Sequence, residues 1–87
     1  MPRPSSRKAP AFVYVLVSVS GAVTYVGWTD DLERRLARHN GGTGAKTTRG
    51  RQWRLVYAEK LASRVAAMRR EYHLKRDRVL RAALRAN

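Results

Sequence analysis

At 87 residues the chain has room for one small domain, and nineteen Lys and Arg against six Asp and Glu give a net charge of +13 and a pI near 11.6. That balance excludes an acidic surface and favours a polyanion as partner, most often nucleic acid, and the dominance of arginine suits phosphate oxygens. The absence of cysteine excludes disulfide staples and thiolate metal sites and fits a reducing, cytoplasmic setting.

Residues 1–10 hold three prolines, two serines and three basic residues. They cannot build a core and are expected to form a flexible basic arm. Residues 11–87 are expected to form the single domain. The basic Met1–Lys8, the apolar Ala11–Val19 and the small Ser20-Gly21-Ala22 together outline a secretory leader. A strand followed by a hairpin turn explains the apolar run better. The run is also too short to cross a bilayer as a helix, so no membrane is expected as partner.

Phe12–Val19 is rich in β-branched and aromatic residues and reads as a strand, apolar on both faces as if covered on both. Ser20-Gly21 supplies a turn, and Val23–Trp28 returns as a second strand. If the loop is those two residues, Leu16 faces Tyr25, Tyr14 faces Gly27, and the two phenols are diagonal neighbours on one face. A slip of one residue would separate them. Gly27 near the strand end lets another backbone or a substrate approach.

The first helix has a clear start: Asp30 as cap, with Glu33 three residues on completing a capping box. Leu32 and Leu36 form its buried stripe. Arg35 and His39, one turn apart, lie beside that stripe, while Arg34 and Arg38 form a solvent-facing row. Asn40-Gly41-Gly42-Thr43-Gly44 ends the helix, and the basic, hydroxyl-bearing loop Lys46-Thr47-Thr48-Arg49-Gly50-Arg51 follows. Trp53–Glu59 reads as a third strand, though it alternates less cleanly. Ser63 caps a second helix with Leu61, Val65, Met68 and Tyr72 as its apolar stripe and Glu71 adjacent to it. From Asp77 onward Val79, Leu80, Ala83 and Leu84 make a final amphipathic helix, whose continuity with the second stays open.

Acids are few. Asp30 and Glu33 serve the cap, Asp31 suits the first helical turn, and Asp77 balances the charge of its arginine neighbours. Glu59 and Glu71 remain. One carboxylate plus water and phosphate oxygens is enough for magnesium, and Glu71 is the better candidate. Its alternative is an ion pair with Lys75 one turn on. Taken singly, Tyr14 and Tyr25 are equally consistent with strand packing, and His39 with a helix C-terminal charge. No Ser-His-Asp order, Walker loop or zinc spacing is present.

Together, Val13-Tyr14-Val15, Tyr25-Val26-Gly27, Asp31-Leu32-Glu33-Arg34-Arg35-Leu36, His39-Asn40 and Arg69-Arg70-Glu71-Tyr72 resemble the GIY-YIG endonuclease superfamily, in particular its small bacterial single-domain members. The resemblance runs from Phe12 to Arg76. The first motif departs from the eponymous triplet, with valines flanking Tyr14. The resemblance implies an α/β (α+β) domain, a three-stranded antiparallel sheet flanked by helices. It implies Tyr14, Tyr25, Arg35 rather than Arg34, and His39 as catalytic residues, with Glu71 holding a divalent metal, Mg²⁺ or Mn²⁺. Asn40 and the Gly44-Ala45-Lys46-Thr47 loop match the small-member pattern.

The expected activity is metal-dependent hydrolysis of a nucleic-acid phosphodiester, DNA before RNA. Tyr14 is the expected general base, and Arg35 grips the phosphate. An unperturbed phenol titrates near 10, so Tyr14 needs positive charge from Arg35, His39 or the metal. Gly27, Arg34, Arg38, Asn40, Lys46, Thr47, Arg49 and Arg51 are the expected nucleic-acid contacts. A protein partner that targets the domain stays open, and the alternative is a basic binding module that does not cut.

Overall fold

A computed structural model of the chain describes residues 10–44, 48 and 50–86. Most of the expected basic arm, and Lys46, Thr47 and Arg49, lie outside the described residues. The elements run β1 (Ala11–Ser18), β2 (Thr24–Thr29), α1 (Leu32–Asn40), β3 (Trp53–Leu61), α2 (Arg64–Arg76) and α3 (Arg78–Ala86). The sheet is three-stranded and antiparallel in the order β2-β1-β3.

The central place of β1 explains its composition. Val13 and Val15 face one side and pack with Val26, Ala67 and Leu74 of α2, and Leu84 of α3. Tyr14 and Leu16 face the other, with Trp53, Tyr25, and Leu32 and Leu36 of α1. Burial on both faces needs apolar residues at every position, not alternate ones. Tyr14 pairs with Gly27 and Leu16 with Tyr25, the register that keeps both phenols on one face. Gly21 carries the turn at φ 82°, a conformation that glycine adopts without strain.

The uneven pattern of the third strand has a physical cause. Tyr57 pairs with Val15 but Leu55 pairs with Leu16, so Val56 is an extra residue in a bulge. A bulge flips the alternation of the residues on either side of it. Trp53 therefore faces α1, while Tyr57 and Glu59 turn toward α2. Glu59 there forms an ion pair with Arg70 at 2.7 Å.

Three expectations are corrected. The cap of α1 is Asp31, whose carboxylate accepts from the Arg34 N–H at 3.2 Å; Thr29 Oγ1 accepts from the Asp31 N–H at 3.1 Å and steers the chain into that cap. Asp77 is more than a counter-charge: its carboxylate accepts from the Leu80 N–H at 3.0 Å, which separates α3 from α2. Finally, α2 turns the opposite face inward. Ala67 and Leu74 are fully buried, whereas Val65, Met68 and Tyr72 are 57%, 45% and 54% exposed. The side chain of Ala67 is short enough to bring the helix close to the sheet. Ser63 caps α2 as expected, accepting from the Ala66 N–H. Among the described residues no helix is long and apolar enough to cross a membrane.

Candidate active site

Local rules place three groups at one point over the sheet. Tyr14 projects from mid-β1, and its ring lies over Gly27 on β2. A β-carbon at position 27 would stand 2.6 Å from the Tyr14 hydroxyl oxygen and 2.8 Å from Cζ. The space that this glycine opens is thus filled by the chain's own phenol. Arg35 and His39, one turn apart on α1, close on the same oxygen. Arg35 Nε donates to it at 3.3 Å, and His39 Nε2 lies 2.9 Å from it. The Tyr25 ring packs on His39 with centroids 4.9 Å apart, and its hydroxyl is a further hydrogen-bonding neighbour of Arg35.

His39 is fully buried, and its Nδ1 lies 2.8 Å from Thr48 Oγ1. The Trp53 indole N–H donates to the Thr48 carbonyl at 2.9 Å. Asn40 accepts from the Trp53 backbone N–H at 2.6 Å and donates to its carbonyl at 3.2 Å. Asn40, expected to touch nucleic acid, is here a strut between α1 and β3. Thr48 and Trp53, for which no functional role is expected from the sequence, complete the brace behind His39. In a loop reading Lys46-Thr47-Thr48-Arg49 nothing in the sequence marks Thr48 as buried. The one usable signal is Trp53, whose indole needs a hydrogen-bond acceptor once buried.

The tight fit at Gly27 yields a first prediction. Gly27→Ala forces a methyl group into a phenol that is itself buried. The expected loss is about 1–3 kcal/mol, the usual range for overpacking, read as a lower urea midpoint. Unchanged stability would mean that the ring is not held where it lies.

The electrostatics differ from expectation. Burial pushes the Tyr14 phenol up to about 12; Tyr25 and Glu71 add to the rise, and the hydrogen bond and charge of Arg35 offset only part of it. Arg35 lowers the phenol as expected, but desolvation of the phenolate outweighs one guanidinium. Burial, then the charges of Arg35 and Arg38, hold His39 below its ordinary 6.5. His39 is therefore neutral at pH 7 and is a proton acceptor, not a source of charge. The hydrogen bond to Tyr14 keeps Arg35 more firmly protonated than usual.

Glu71 comes from α2, in the layer across the sheet. Its side chain is 22% exposed and 3.5 Å from Lys75 Nζ, and its charge is felt at Tyr14. No group of three or more His, Cys, Asp or Glu able to hold a metal is found among the described residues. The donor set is a single hard carboxylate. It fits a cation bound largely by water and phosphate, as Mg²⁺ and Mn²⁺ are, and not a cage-bound zinc.

The expected nucleic-acid contacts separate in space. Arg34 and Arg38 are exposed and line a cleft of 570 Å³ with Arg35. Arg51 lines a separate groove of 160 Å³ near Ser18 and Ser20.

Comparison with known proteins bears on this constellation. The family model described as the GIY-YIG catalytic domain matches residues 10–79. A UPF0213 protein of Natronomonas pharaonis is 47% identical over 68 residues, covering 77% of this chain and 79% of that one. A UPF0213 protein of Streptococcus pneumoniae serotype 4 is 48% identical over 69 residues, covering 78% and 69%. The solution NMR structure of a UPF0213 protein from Bacillus halodurans superposes with a TM-score of 0.51 at 39% identity, covering 86% of this chain and 81% of that one.

Proposed function

The chain belongs to the GIY-YIG family of nucleases, and from that premise we propose that it is a divalent-metal-dependent endonuclease acting on nucleic acid, DNA before RNA, in the cytoplasm. The observation that carries this reading is the Tyr14 hydroxyl, held between Arg35 Nε at 3.3 Å and His39 Nε2 at 2.9 Å. A buried phenol that accepts from a guanidinium and adjoins a neutral imidazole is arranged to move a proton.

We assign His39 the tautomer with its proton on Nδ1, donated to Thr48 Oγ1, so that Nε2 accepts from Tyr14. As water attacks phosphorus, its proton passes to the Tyr14 oxygen while the Tyr14 proton passes to His39 Nε2. The new phosphorus–oxygen bond forms, the bond to the 3′ oxygen breaks, that oxygen takes a proton from solvent water to become the 3′ hydroxyl, and the protonated His39 returns its proton to solvent. No free phenolate is needed, which suits a phenol whose ionisation lies near 12. Arg35 grips the non-bridging oxygens as their negative charge grows. Tyr25 holds the Arg35 and His39 side chains in place. Glu71 would hold the divalent cation, which would supply positive charge for the leaving oxygen. Arg34 and Arg38 supply salt-sensitive attraction without reading bases.

The test mixes purified protein with plasmid, branched DNA and RNA, with Mg²⁺ or Mn²⁺ and with chelator. Metal-stimulated cutting is expected. Arg35→Ala should lower it about 10²–10³-fold, the usual loss for one donor to a developing oxyanion. Glu71→Gln should remove the metal stimulation, and both variants should still bind. Cutting that survives both changes refutes the site. The rival is a basic module that binds without cutting, and it draws on the Glu71–Lys75 pair. Binding that ignores both metal and Glu71 would favour it.

A further inference from the structure

The move of the helix cap to Asp31 leaves Asp30 without a part in folding α1. Its carboxylate instead accepts from Arg64 Nη2 at 3.1 Å, across a gap of 34 residues to the first turn of α2. Both side chains are exposed, and an exposed pair of this kind adds little to stability. With only six acids in the chain, a carboxylate in the basic part of the surface calls for a reason.

Two clefts meet there. The first, with Arg34 and Arg38, and the second, of 340 Å³ with Arg64 and Trp28, share Arg35, Thr29 and Asp30. They make one trough. Arg34 and Arg38 lie on one side, Arg64 on the other, and Arg35, which donates to the buried Tyr14 hydroxyl, lies between. The trough is open and polar, and its cations are guanidiniums, which hold carboxylate and phosphate by the same forked geometry.

We propose that Asp30 and Arg64 form an electrostatic latch: Asp30 stands in for a backbone phosphate in the free protein, and a phosphate neighbouring the scissile one displaces it to take Arg64. This rests on the nuclease reading, since it places the scissile phosphate at Arg35. It adds a second phosphate site on α2 and gives the bound strand a path from Arg38 across Arg35 to Arg64. Arg64 then holds a phosphate one step from the cut, and Asp30 resists loose, non-specific occupation of the trough.

The experiment measures fluorescence anisotropy of a labelled oligonucleotide, single-stranded and duplex, with chelator present so that nothing is cut. Near 0.15 M salt one phosphate contact is worth about fivefold in affinity. Arg64→Gln should therefore weaken binding about fivefold and lower the salt slope by about one. Asp30→Asn should tighten binding by a similar factor with an unchanged melting midpoint, because Asp31 holds the cap. The decisive measurement is the double variant. A latch requires the gain from Asp30→Asn to disappear once Arg64 is gone, because the two share one interaction. If the two effects simply add, or if Arg64→Gln weakens binding no more than Arg85→Gln on α3, the latch is overturned. Cutting is scored separately on the unchanged chain. Coupled binding without any cleavage would keep the latch and sink the nuclease; cleavage without coupling would do the reverse.

Discussion

Tyr14→Phe is expected to slow single-turnover cleavage by about 10²–10⁴-fold, the range for loss of one positioned acid–base group, while the fold stays intact. Only the hydroxyl is removed. The ring keeps its place among Leu16, Trp53, Leu32 and Leu36, so the cost in stability should be about 1 kcal/mol, one buried hydrogen-bonded group. Binding in chelator should be unchanged, because Arg34 and Arg38 do not depend on the phenol. If Tyr14→Phe cuts at the normal rate, the proton path is wrong whatever else is right.

The pH profile separates two ways in which Tyr14 could act. If it works as a standing phenolate, the rate should climb with pH toward about 12, where the phenol ionises. If it passes a proton to His39, the rate depends on His39 being neutral. Burial, Arg35 and Arg38 hold that histidine below 6.5. The rate should then fall only in acid, below pH 6.5, and be flat through neutrality. The same shift makes stability pH-dependent. The unfolded chain binds the His39 proton more readily, so stability from this group is full above 6.5 and is lost as pH falls through the lower folded value. Circular dichroism at each pH distinguishes a protonated site from an unfolding protein. A rate still rising at pH 9 would point to the phenolate.

Much of the site was legible because short-range rules govern it. Tyr14 and Tyr25 share a face once Ser20-Gly21 fixes the hairpin, and Leu32 with Leu36 fixes which side of α1 carries Arg35 and His39. What the sequence hid depends on contacts between distant segments. The choice between Asp30 and Asp31 as cap turns on Thr29 Oγ1, a matter of angstroms between adjacent carboxylates. The bulge at Val56 is decided by what lies on each side of β3, not by its own residues. It is what sends Trp53 to the His39 side and Glu59 to the opposite one. Glu71 is expected beside the Val65, Met68 and Tyr72 stripe, but that stripe is exposed and the buried face is that of Ala67 and Leu74. At about 100° per residue, Val65, Met68 and Tyr72 point nearly opposite to Ala67 and Leu74, and Glu71 sits at the margin between the two sets. A helix with so few large apolar residues offers two faces of similar hydrophobicity. The strands it packs on choose between them.

That choice makes the second large effect. Leu74→Ala is expected to cost about 2–5 kcal/mol, as for a fully buried leucine, whereas Met68→Ala should stay within about 0.5 kcal/mol, as for an exposed site. At roughly 0.05–0.15 kcal/mol per residue, a domain of 87 residues has little margin, so Leu74→Ala should be partly unfolded at 37 °C, while Met68→Ala is not. Urea unfolding followed by circular dichroism ranks the two, and the reverse ranking would put Met68 in the core. The consequence reaches the chemistry. Ala67 and Leu74 lie one turn before and one turn after Glu71, so their packing against the sheet fixes where its carboxylate stands. At a temperature where Leu74→Ala remains folded, the metal concentration needed for half-maximal cutting should rise in that variant and stay unchanged in Met68→Ala. A loss of stability with no change in metal requirement would show that Glu71 is aimed by something other than the seat of its helix.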